Sequence, residues 1–366
     1  LSALLSNSPP LSLQTMTKAI RAATTDTRIS GIVFNIINPQ FGMAQILEIE
    51  AAMSEFRASE KWTMAFIESA GVNSRGDGAY ALALCTDAIY LTPPGSLNLI
   101  GIRSESPFLA GLFEKLQIKP FFDHRKEYKS GPSMFTHKGY TAKHKEQLKD
   151  VLDDIQTTLS AHIAKRRNVN LETAQEWINQ GPYDSTTAKD KGMIDDIAYF
   201  DSIITQMRKR IGRDKPSVSL QRYSQGLKPS IGNKMIAVIT AAGTIHRGRS
   251  DSDPLATQSS IGSATYAKAF RKAREDKVAG VLFRINSGGG SYIASDIIRR
   301  EVELTRQAGI PIVASMGNVA ASGGYFIAMD ANHIVAEPAT VTGSIGVFTG
   351  GFATRTFFKE YLGITF

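Results

Sequence analysis

The chain has 366 residues, of which 42% are hydrophobic and 21% are charged, and its formal net charge is +8. This composition excludes an intrinsically disordered chain and leaves room for two domains of ordinary size. The single cysteine, Cys85, excludes an internal disulfide framework and a cysteine-based metal cluster, so we expect no metal site.

The sequence contains no run near the roughly 20 apolar residues that cross a bilayer, and no N-terminal signal pattern. The chain begins at Leu1, which indicates a processed or engineered start. Its basic residues form modest clusters at 124–126, 143–149 and 208–210, with acidic residues between them. This distribution favours a solvated surface, or one lying near anionic lipid, over a nucleic-acid groove. We therefore expect no nucleic-acid partner.

Short β-branched runs alternate with amphipathic helical stretches along most of the chain. The predicted elements, in chain order, are strand 31–36, helix 46–57, strand 63–67, helices 141–167 and 171–179, a linker at 213–233, strands 234–240 and 280–285, helix 293–307 and strand 311–315. Alternating strands and helices predict an α/β fold built from parallel βαβ units.

The two ends of the chain resemble each other. The strand that begins at Gly31 is similar to the strand that begins at Gly280, 249 positions later. Further on, a set of residues recurs 245 positions later: Gly78, Tyr80, Ala83, Ile89, Pro93 and Gly101 match Gly323, Tyr325, Ala328, Ile334, Pro338 and Gly346. A repeat on this scale predicts two tandem copies of one βαβ domain, at 1–140 and 234–366, joined by a helical segment and linker at 141–233.

Two glycine turns in the second copy are the candidates for chemistry. Ser322 precedes Gly323 and Gly324 at a predicted helix start, and the turn 286–291 follows the strand at 280–285. A serine at a helix start facing a glycine loop combines a nucleophile with backbone N–H donors for an oxyanion. The alternative interpretation is two ordinary strand-to-helix turns.

A serine nucleophile needs a base that takes its proton. His333 is the nearest histidine in sequence, but it lies just ahead of a strand and has no acidic partner marked for it. A lysine can serve if burial keeps it neutral near pH 7. On composition alone, Lys126, Lys129 and Lys138 are equal candidates, and each is equally well explained as a surface lysine.

Four motifs together carry a resemblance to a known family. The glycine–serine motifs at 286–291, 320–325 and 342–347 and the segment Glu-Tyr-Lys-Ser at 127–130 resemble the signal peptide peptidase A family in its long, duplicated form. The resemblance runs from about residue 11 to the end of the chain. That family comprises membrane-associated serine proteases of the Clp-protease/crotonase fold, so the resemblance implies two crotonase-like copies and a Ser-Lys dyad.

The resemblance assigns roles to individual residues. It implies Ser322 as the nucleophile and Lys129 as the general base, with oxyanion N–H donors at Gly323 and Gly289. Ser344 would hydrogen-bond the lysine. Two departures are Gly288, where the family usually has proline, and the segment 131–135, which differs from the family's usual small-x-acid-Pro-Phe.

The two copies are expected to share one composite site. Asp77 occupies the position of Ser322 in the first copy, so that copy has lost its nucleophile. The second copy stops at Phe366, before its own lysine segment would arrive, and is expected to be incomplete. The first copy would then lend Lys129 to a site at the junction of the domains.

The resemblance also implies partners and a location. It implies endoproteolysis of membrane-derived peptides such as remnant signal peptides, no cofactor, and a homo-oligomer, specifically a tetramer. It places the protein at the bacterial inner membrane with its catalytic domain on the periplasmic side. Two alternatives stay open: a crotonase-type acyl-CoA enzyme, which needs no serine nucleophile, and a non-catalytic oligomeric scaffold.

Overall fold

The computed structural model describes residues 11–71, 75–212, 217–228, 232–250 and 259–366. Contacts between Cα atoms divide the chain into two compact units. Unit one comprises Leu1–Ile102 and Ile155–Ile231, and unit two comprises Arg103–Asp154 and Gly232–Phe366. Both units combine helices with parallel strands, so the predicted α/β class is confirmed.

The helices and strands follow in chain order as α1 Leu13–Thr25, β1 Gly31–Ile36, α2 Met43–Arg57, β2 Trp62–Ile67, α3 Asp77–Ala83, β3 Ala88–Leu91, β4 Ser96–Leu97, α4 Ala110–Lys115, β5 Lys119–His124, α5 Ser133–Thr136, α6 Ala142–Arg167, α7 Leu171–Gln180, β6 Tyr183–Asp184, α8 Ser185–Asp190, β7 Asp196–Ile197, α9 Phe200–Ile211, α10 Leu220–Gln225, β8 Ile236–Ala242, β9 Thr244–His246, β10 Ser260–Gly262, α11 Ser263–Glu275, β11 Gly280–Ser287, α12 Tyr292–Gln307, β12 Ile312–Ala321, α13 Gly323–Phe326, β13 His333–Val335, β14 Val341–Gly343, β15 Phe348–Ala353 and α14 Arg355–Leu362. Among the described residues, no helix combines the length and the apolar character that a membrane span requires.

Unit one is organised around a parallel sheet with the strand order β1-β2-β3-β7. The sequence of β2 is apolar almost throughout, as expected for a strand that is covered on both faces. On one face, fully buried side chains such as Ile46, Phe56 and Tyr80 form the main core. On the other face, Phe66 packs in a smaller cluster with Ile203 of α9.

Unit two is organised around a parallel sheet with the strand order β13-β12-β11-β8. Its core includes an edge-to-face pair of Phe270 and Phe283, whose ring centroids are 5.0 Å apart. The long strand β12 pairs with β13 along Val313–Ser315 and with β14 along its last three residues, Val319–Ala321. On its other side the end of β12 pairs with β11, through Ala320 and Ser287. The chain therefore leaves this sheet at Ser322, between β11 and β14.

A two-stranded antiparallel ribbon of β5 and β15 brings the segment after residue 103 into unit two. Four phenylalanines of this unit pack around the ribbon with ring centroids 5.1–5.5 Å apart, namely Phe113, Phe122, Phe135 and Phe352. Because aromatic burial is a large stabilising contribution, this cluster fixes the ribbon firmly. Lys129 therefore lies in the same compact unit as Ser322, whereas the sequence-based division at residue 140 placed it in the first domain.

The predicted elements agree with the observed ones to within a few residues, apart from the linker and the strand predicted at 311–315, which is observed as Ile312–Ala321. Within 213–233, residues 220–225 form helix α10, and its N-terminus is capped by Ser219, whose Oγ accepts the Arg222 N–H at 3.2 Å. The Tyr223 hydroxyl donates to Asp26 at 3.0 Å, so this part packs on unit one. Positions 213–216 and 229–231 of the predicted linker lie outside the described residues.

Candidate active site

The turn at Ser322 has an unusual backbone conformation. Ser322 follows β12 directly, precedes α13, and has φ 52° and ψ −120°. A positive φ is uncommon for a residue with a side chain and costs about 1–3 kcal/mol. The surrounding backbone holds it there, because the Ser322 N–H donates to the Gly343 carbonyl at 2.8 Å and its carbonyl accepts the Phe326 N–H at 2.9 Å.

The glycine loop 286–291 approaches this turn so closely that side chains are excluded. A Cβ atom on Gly289 would lie 2.6 Å from the Gly323 nitrogen and 2.9 Å from the Ser322 Cβ. A Cβ atom on Gly324 would lie 2.3 Å from the Ser287 carbonyl oxygen. Glycine is therefore required at both positions, and the loop and the serine turn form one rigid surface.

The two predicted oxyanion donors differ in their surroundings. The Gly323 N–H is the first of α13, and such an N–H has no acceptor within its own helix. The Gly289 N–H donates to Ser287 Oγ at 3.1 Å. Ser287 is buried and its hydroxyl donates in turn to the Gly243 carbonyl at 2.6 Å. Ser287 thus ties the glycine loop to the turn between β8 and β9.

Lys129 is buried, with only 6% of its surface exposed, and its ammonium group contacts both predicted serines. Its Nζ lies 3.1 Å from Ser322 Oγ, 3.2 Å from Ser344 Oγ and 2.5 Å from the Ser344 carbonyl oxygen. The structure therefore brings Ser322, Lys129 and Ser344 together, although Lys129 is 193 positions from Ser322.

Burial also affects the charge of this lysine. Removal of Nζ from water disfavours the ammonium form and lowers the pKa of Lys129 below its ordinary value of 10.5. No carboxylate among the described residues forms an ion pair that would offset this effect. The neutral amine, which is the form that can accept a proton, is thus favoured relative to an exposed lysine.

The backbone around Lys129 explains how it reaches the serine. Directly after β5, the Arg125 N–H donates to the Val347 carbonyl at 2.9 Å, which continues the pairing with β15. On the facing segment, Gly343 and Ser344 both have positive φ values, 79° and 46°. Two consecutive residues of this kind turn the chain sharply, and the Ser344 carbonyl oxygen accepts a hydrogen bond from Lys129 Nζ.

The other candidate bases are placed differently. Lys126 is exposed, and Lys138 forms an exposed ion pair with Glu114 at 2.6 Å. His333 is exposed on β13, a strand that pairs with Val313–Ser315 rather than with the end of β12.

Comparison with known proteins shows which family the chain belongs to. Residues 64–213 and 305–366 match the model of Peptidase family S49. The chain belongs to this family. It is 33% identical over 360 residues to Serine protease SPPA, chloroplastic, of Arabidopsis thaliana, a match that covers 96% of this chain and 52% of the relative. The predicted resemblance to signal peptide peptidase A is thereby confirmed.

Two bacterial proteins are similar to this chain over comparable lengths. Protease 4 of Salmonella typhi is 32% identical over 351 residues, covering 92% of this chain and 55% of the relative. Protease 4 of Haemophilus influenzae is 29% identical over 350 residues, a match that covers 90% of this chain and 55% of the relative. The chain spans about half the length of the curated relatives it matches.

Sequence reasoning overlooked Ser287. It stands inside the motif 286–291, where only the glycines were given a role. The available signal was its position as the last residue of a buried strand, where a hydroxyl must find hydrogen-bond partners. Through its hydrogen bonds with Gly243 and Gly289, Ser287 connects the turn after β8 to the glycine loop beside Ser322.

Proposed function

We propose that this chain is a serine endopeptidase in which Ser322 is the nucleophile and Lys129 the general base. The observation that carries the proposal is the 3.1 Å separation of Lys129 Nζ from Ser322 Oγ within one compact unit. As Oγ bonds to the scissile carbonyl carbon, its proton moves to Nζ. Nζ then gives that proton to the leaving amine as the C–N bond breaks. Water releases the acyl group by the same steps, with Lys129 again as base.

The three contacts of Nζ match the bonding of a neutral amine. A neutral lysine has two N–H donors and one lone pair. If the two N–H groups donate to the Ser344 carbonyl and to Ser344 Oγ, the lone pair is left for the Ser322 hydroxyl proton. Ser344 is therefore proposed to orient the base rather than to react.

The developing oxyanion is proposed to bind the N–H groups of Gly323 and Gly289. Gly323 supports this role because its N–H begins a helix and is not used inside it. Gly289 would have to exchange its hydrogen bond with Ser287 Oγ for one with the oxyanion, or share the two.

The proposed substrates are membrane-derived peptides such as remnant signal peptides. Next to Ser344, Ile345 is 75% exposed and Val347 is 52% exposed. Apolar side chains beside the dyad suit an apolar peptide, and the family membership supports peptide substrates.

We also propose that the protein is a homo-oligomer, specifically a tetramer. We propose that it acts at the periplasmic side of a bacterial inner membrane. Both proposals rest on the resemblance to the Protease 4 relatives.

We further propose that the two units are tandem copies of one crotonase-like domain. Parallel strands β1, β2 and β3 are neighbours in this order in unit one, as β11, β12 and β13 are in unit two. A short helix lies between the second and third of these strands in both units, α3 in one and α13 in the other.

Labelling with a fluorophosphonate probe, together with a fluorogenic peptide assay, tests the dyad. Ser322→Ala and Lys129→Ala should each lower peptide turnover by about a thousandfold or more, and the double variant should be no worse than either single one. Lys126→Ala is the matched control, because Lys126 is an exposed lysine three positions away, and it should keep full activity.

Two results would contradict the proposal. If Lys129→Ala keeps more than a few per cent of the activity, Lys129 is not the base. If the folded wild-type chain neither labels at Ser322 nor cleaves peptides, an acyl-CoA enzyme or a scaffold becomes the better interpretation.

A further inference from the structure

Unit one contains a cleft whose lining residues include neither Ser322 nor Lys129. The cavity has a volume of about 880 Å³ and is lined by residues that follow β1, β2 and β3 and by the start of α9. Parallel sheets commonly bind ligands at the carboxyl ends of their strands, and a cavity of several hundred cubic ångströms is typical of a binding site.

The wall of the cleft is held by its own hydrogen bonds. Ser69 Oγ and Ser96 Oγ are 3.0 Å apart, and Thr92 Oγ1 donates to the Glu68 carbonyl at 2.5 Å. A Cβ atom on Gly95 would lie 2.4 Å from the same carbonyl oxygen, so the loops after β2 and β3 are in direct contact. The hydroxyl groups of this wall are thus already engaged, and the wall is formed before any ligand arrives.

The groups that remain for a ligand are apolar surfaces and two carboxylates. Ile37 is 64% exposed and Tyr199 is 57% exposed, although both are large apolar side chains. Phe200 packs against Phe66 with ring centroids 5.0 Å apart. The side chains of Glu68 and Asp201 are exposed, and neither forms an ion pair within the described part of the chain.

The charge of the residues that line the cleft indicates the class of ligand. The described residues that line the cleft include two acids and no lysine, arginine or histidine, in a chain whose net charge is +8. A cationic group is therefore attracted to the two carboxylates of this cleft. The stem of a lysine or arginine can lie along apolar and aromatic surface while its charged end reaches a carboxylate.

We propose that this cleft binds a lysine or arginine side chain within an apolar stretch of an extended peptide. Tyr199, Phe200 and Ile37 would contact the apolar part, and Glu68 and Asp201 would accept hydrogen bonds from the cation. The choice of a peptide as the ligand rests on the proposed function. The cleft would then hold a basic residue of the substrate outside the dyad.

The test measures the binding of two fluorescein-labelled decapeptides by fluorescence anisotropy. Both consist of leucine, alanine and serine, and they differ at one central position, which is lysine in one and norleucine in the other. The protein is the whole chain with Ser322→Ala, so that the peptides stay intact. We expect the lysine peptide to bind about fivefold more tightly, a difference that 0.5 M salt reduces.

Variants of the cleft carboxylates locate the effect. Glu68→Gln with Asp201→Asn should bring the two peptides to within about twofold of each other. Glu172→Gln with Asp190→Asn is the matched control, because both residues are exposed acids of unit one outside the cleft, and it should keep the preference. Equal binding of the two peptides by the parent chain, or an unchanged preference in the Glu68/Asp201 variant, would overturn the proposal.

Crosslinking and competition distinguish a peptide in this cleft from a peptide at the dyad and from a small amine. A photoreactive lysine peptide should crosslink to residues 199–201, and crosslinks confined to 322–345 would overturn the proposal. Free cadaverine should compete only weakly, and competition as strong as that of the peptide would show a small-amine site instead.

Labelling of the serine keeps the two proposals apart. Fluorophosphonate labelling of Ser322 should be unchanged by Glu68→Gln with Asp201→Asn, because neither acid belongs to the dyad. If the wild type does not label at all, the proposed function fails while the binding result stands.

Discussion

The turn at Ser322 in unit two and the turn at Asp77, 245 positions earlier in unit one, have different structures. Ser322 adopts a positive φ, and its Oγ faces a lysine. Asp77 begins an ordinary helix turn, and its Oδ1 accepts the Gly101 N–H at 3.0 Å. The first side chain contacts the Lys129 amine, whereas the second accepts a hydrogen bond from the backbone of its own unit.

The neighbouring glycines show the same difference. A Cβ atom on Gly323 would lie 2.6 Å from Ser295 Oγ and 3.2 Å from the Gly289 Cα, whereas one on its counterpart Gly78 would meet only the Phe41 carbonyl oxygen, at 3.9 Å. Among the described residues, a glycine loop approaches the turn closely at Gly323, whereas no such approach is found at Gly78. The comparison teaches that the candidate site depends on this close approach, since both turns begin a short helix.

Replacement of Gly323 and of Gly78 by alanine should give the largest difference in peptide turnover between the two units. Gly323→Ala forces the loop and the turn apart, so peptide turnover should fall by about a hundredfold or more. Gly78→Ala has room for its methyl group, and alanine is the better helix former. It should therefore keep activity within about twofold and raise the free energy of unfolding by about 0.5 kcal/mol. Enzyme assays and urea unfolding check both results, and equal effects of the two changes would contradict the comparison.

The pH dependence of activity should show a buried base. Because only neutral Lys129 can accept the Ser322 proton, kcat/KM should fall about tenfold per pH unit below the lowered pKa of Lys129 and level off above it. The acid limb should lie below the ordinary lysine value of 10.5. Lys126→Ala should give the same profile. A profile that is flat from pH 5 to 9 is incompatible with a lysine base.

Asp77 should show the opposite pH dependence, in stability rather than activity. Burial raises the pKa of Asp77 above 3.8, so its contribution is fully present below that value and is lost as the pH rises through the folded-state pKa. Asp77→Asn stays neutral. The free energy of unfolding of this variant, relative to that of the wild type, should therefore rise as the pH rises through the folded-state pKa of Asp77. Urea unfolding at pH 4 and pH 7.5 measures this, and a difference that does not change with pH would contradict it.

Asp77→Ser in a Ser322→Ala background should produce no labelling by a fluorophosphonate at residue 77. The loop of unit one contains Pro39, which has no N–H to donate, and the bulky Gln40 and Phe41 where unit two has glycines. The restored hydroxyl would also lack a matched lysine. Labelling at residue 77 would show that unit one keeps a working oxyanion hole.

Local patterns predicted most of the elements that carry the candidate site. The apolar run 280–285 and the glycines after it were sufficient to predict a strand that ends in a tight turn, whereas the strand predicted at 311–315 stops six residues before the observed end of β12 at Ala321. Composition alone did not distinguish Lys129 from Lys126, because the two differ in burial, and burial depends on segments far away in sequence. The family resemblance was needed to favour Lys129.

Two features of unit two had no local signal. The pairing of β5 with β15 joins residues more than two hundred positions apart, and β15 contains Gly350 and Gly351, which weaken the pattern of a strand. This pairing places the lysine segment in unit two, and nothing in the sequence of the segment itself indicates it. The positive φ of Ser322 is likewise imposed by tertiary contacts, since serine does not favour it.

The β5–β15 ribbon also has a consequence for the order of events during synthesis. Ribosomes release the N-terminal part of a chain first, and Lys129 emerges long before Phe348–Ala353, the strand that holds its segment in place. The nascent chain therefore carries Lys129, the proposed base, before Ser322 has been made, and it then carries both residues before β15 can pair with β5. In a polypeptide built in this way, the proposed peptidase site is not complete until residue 353 has been made.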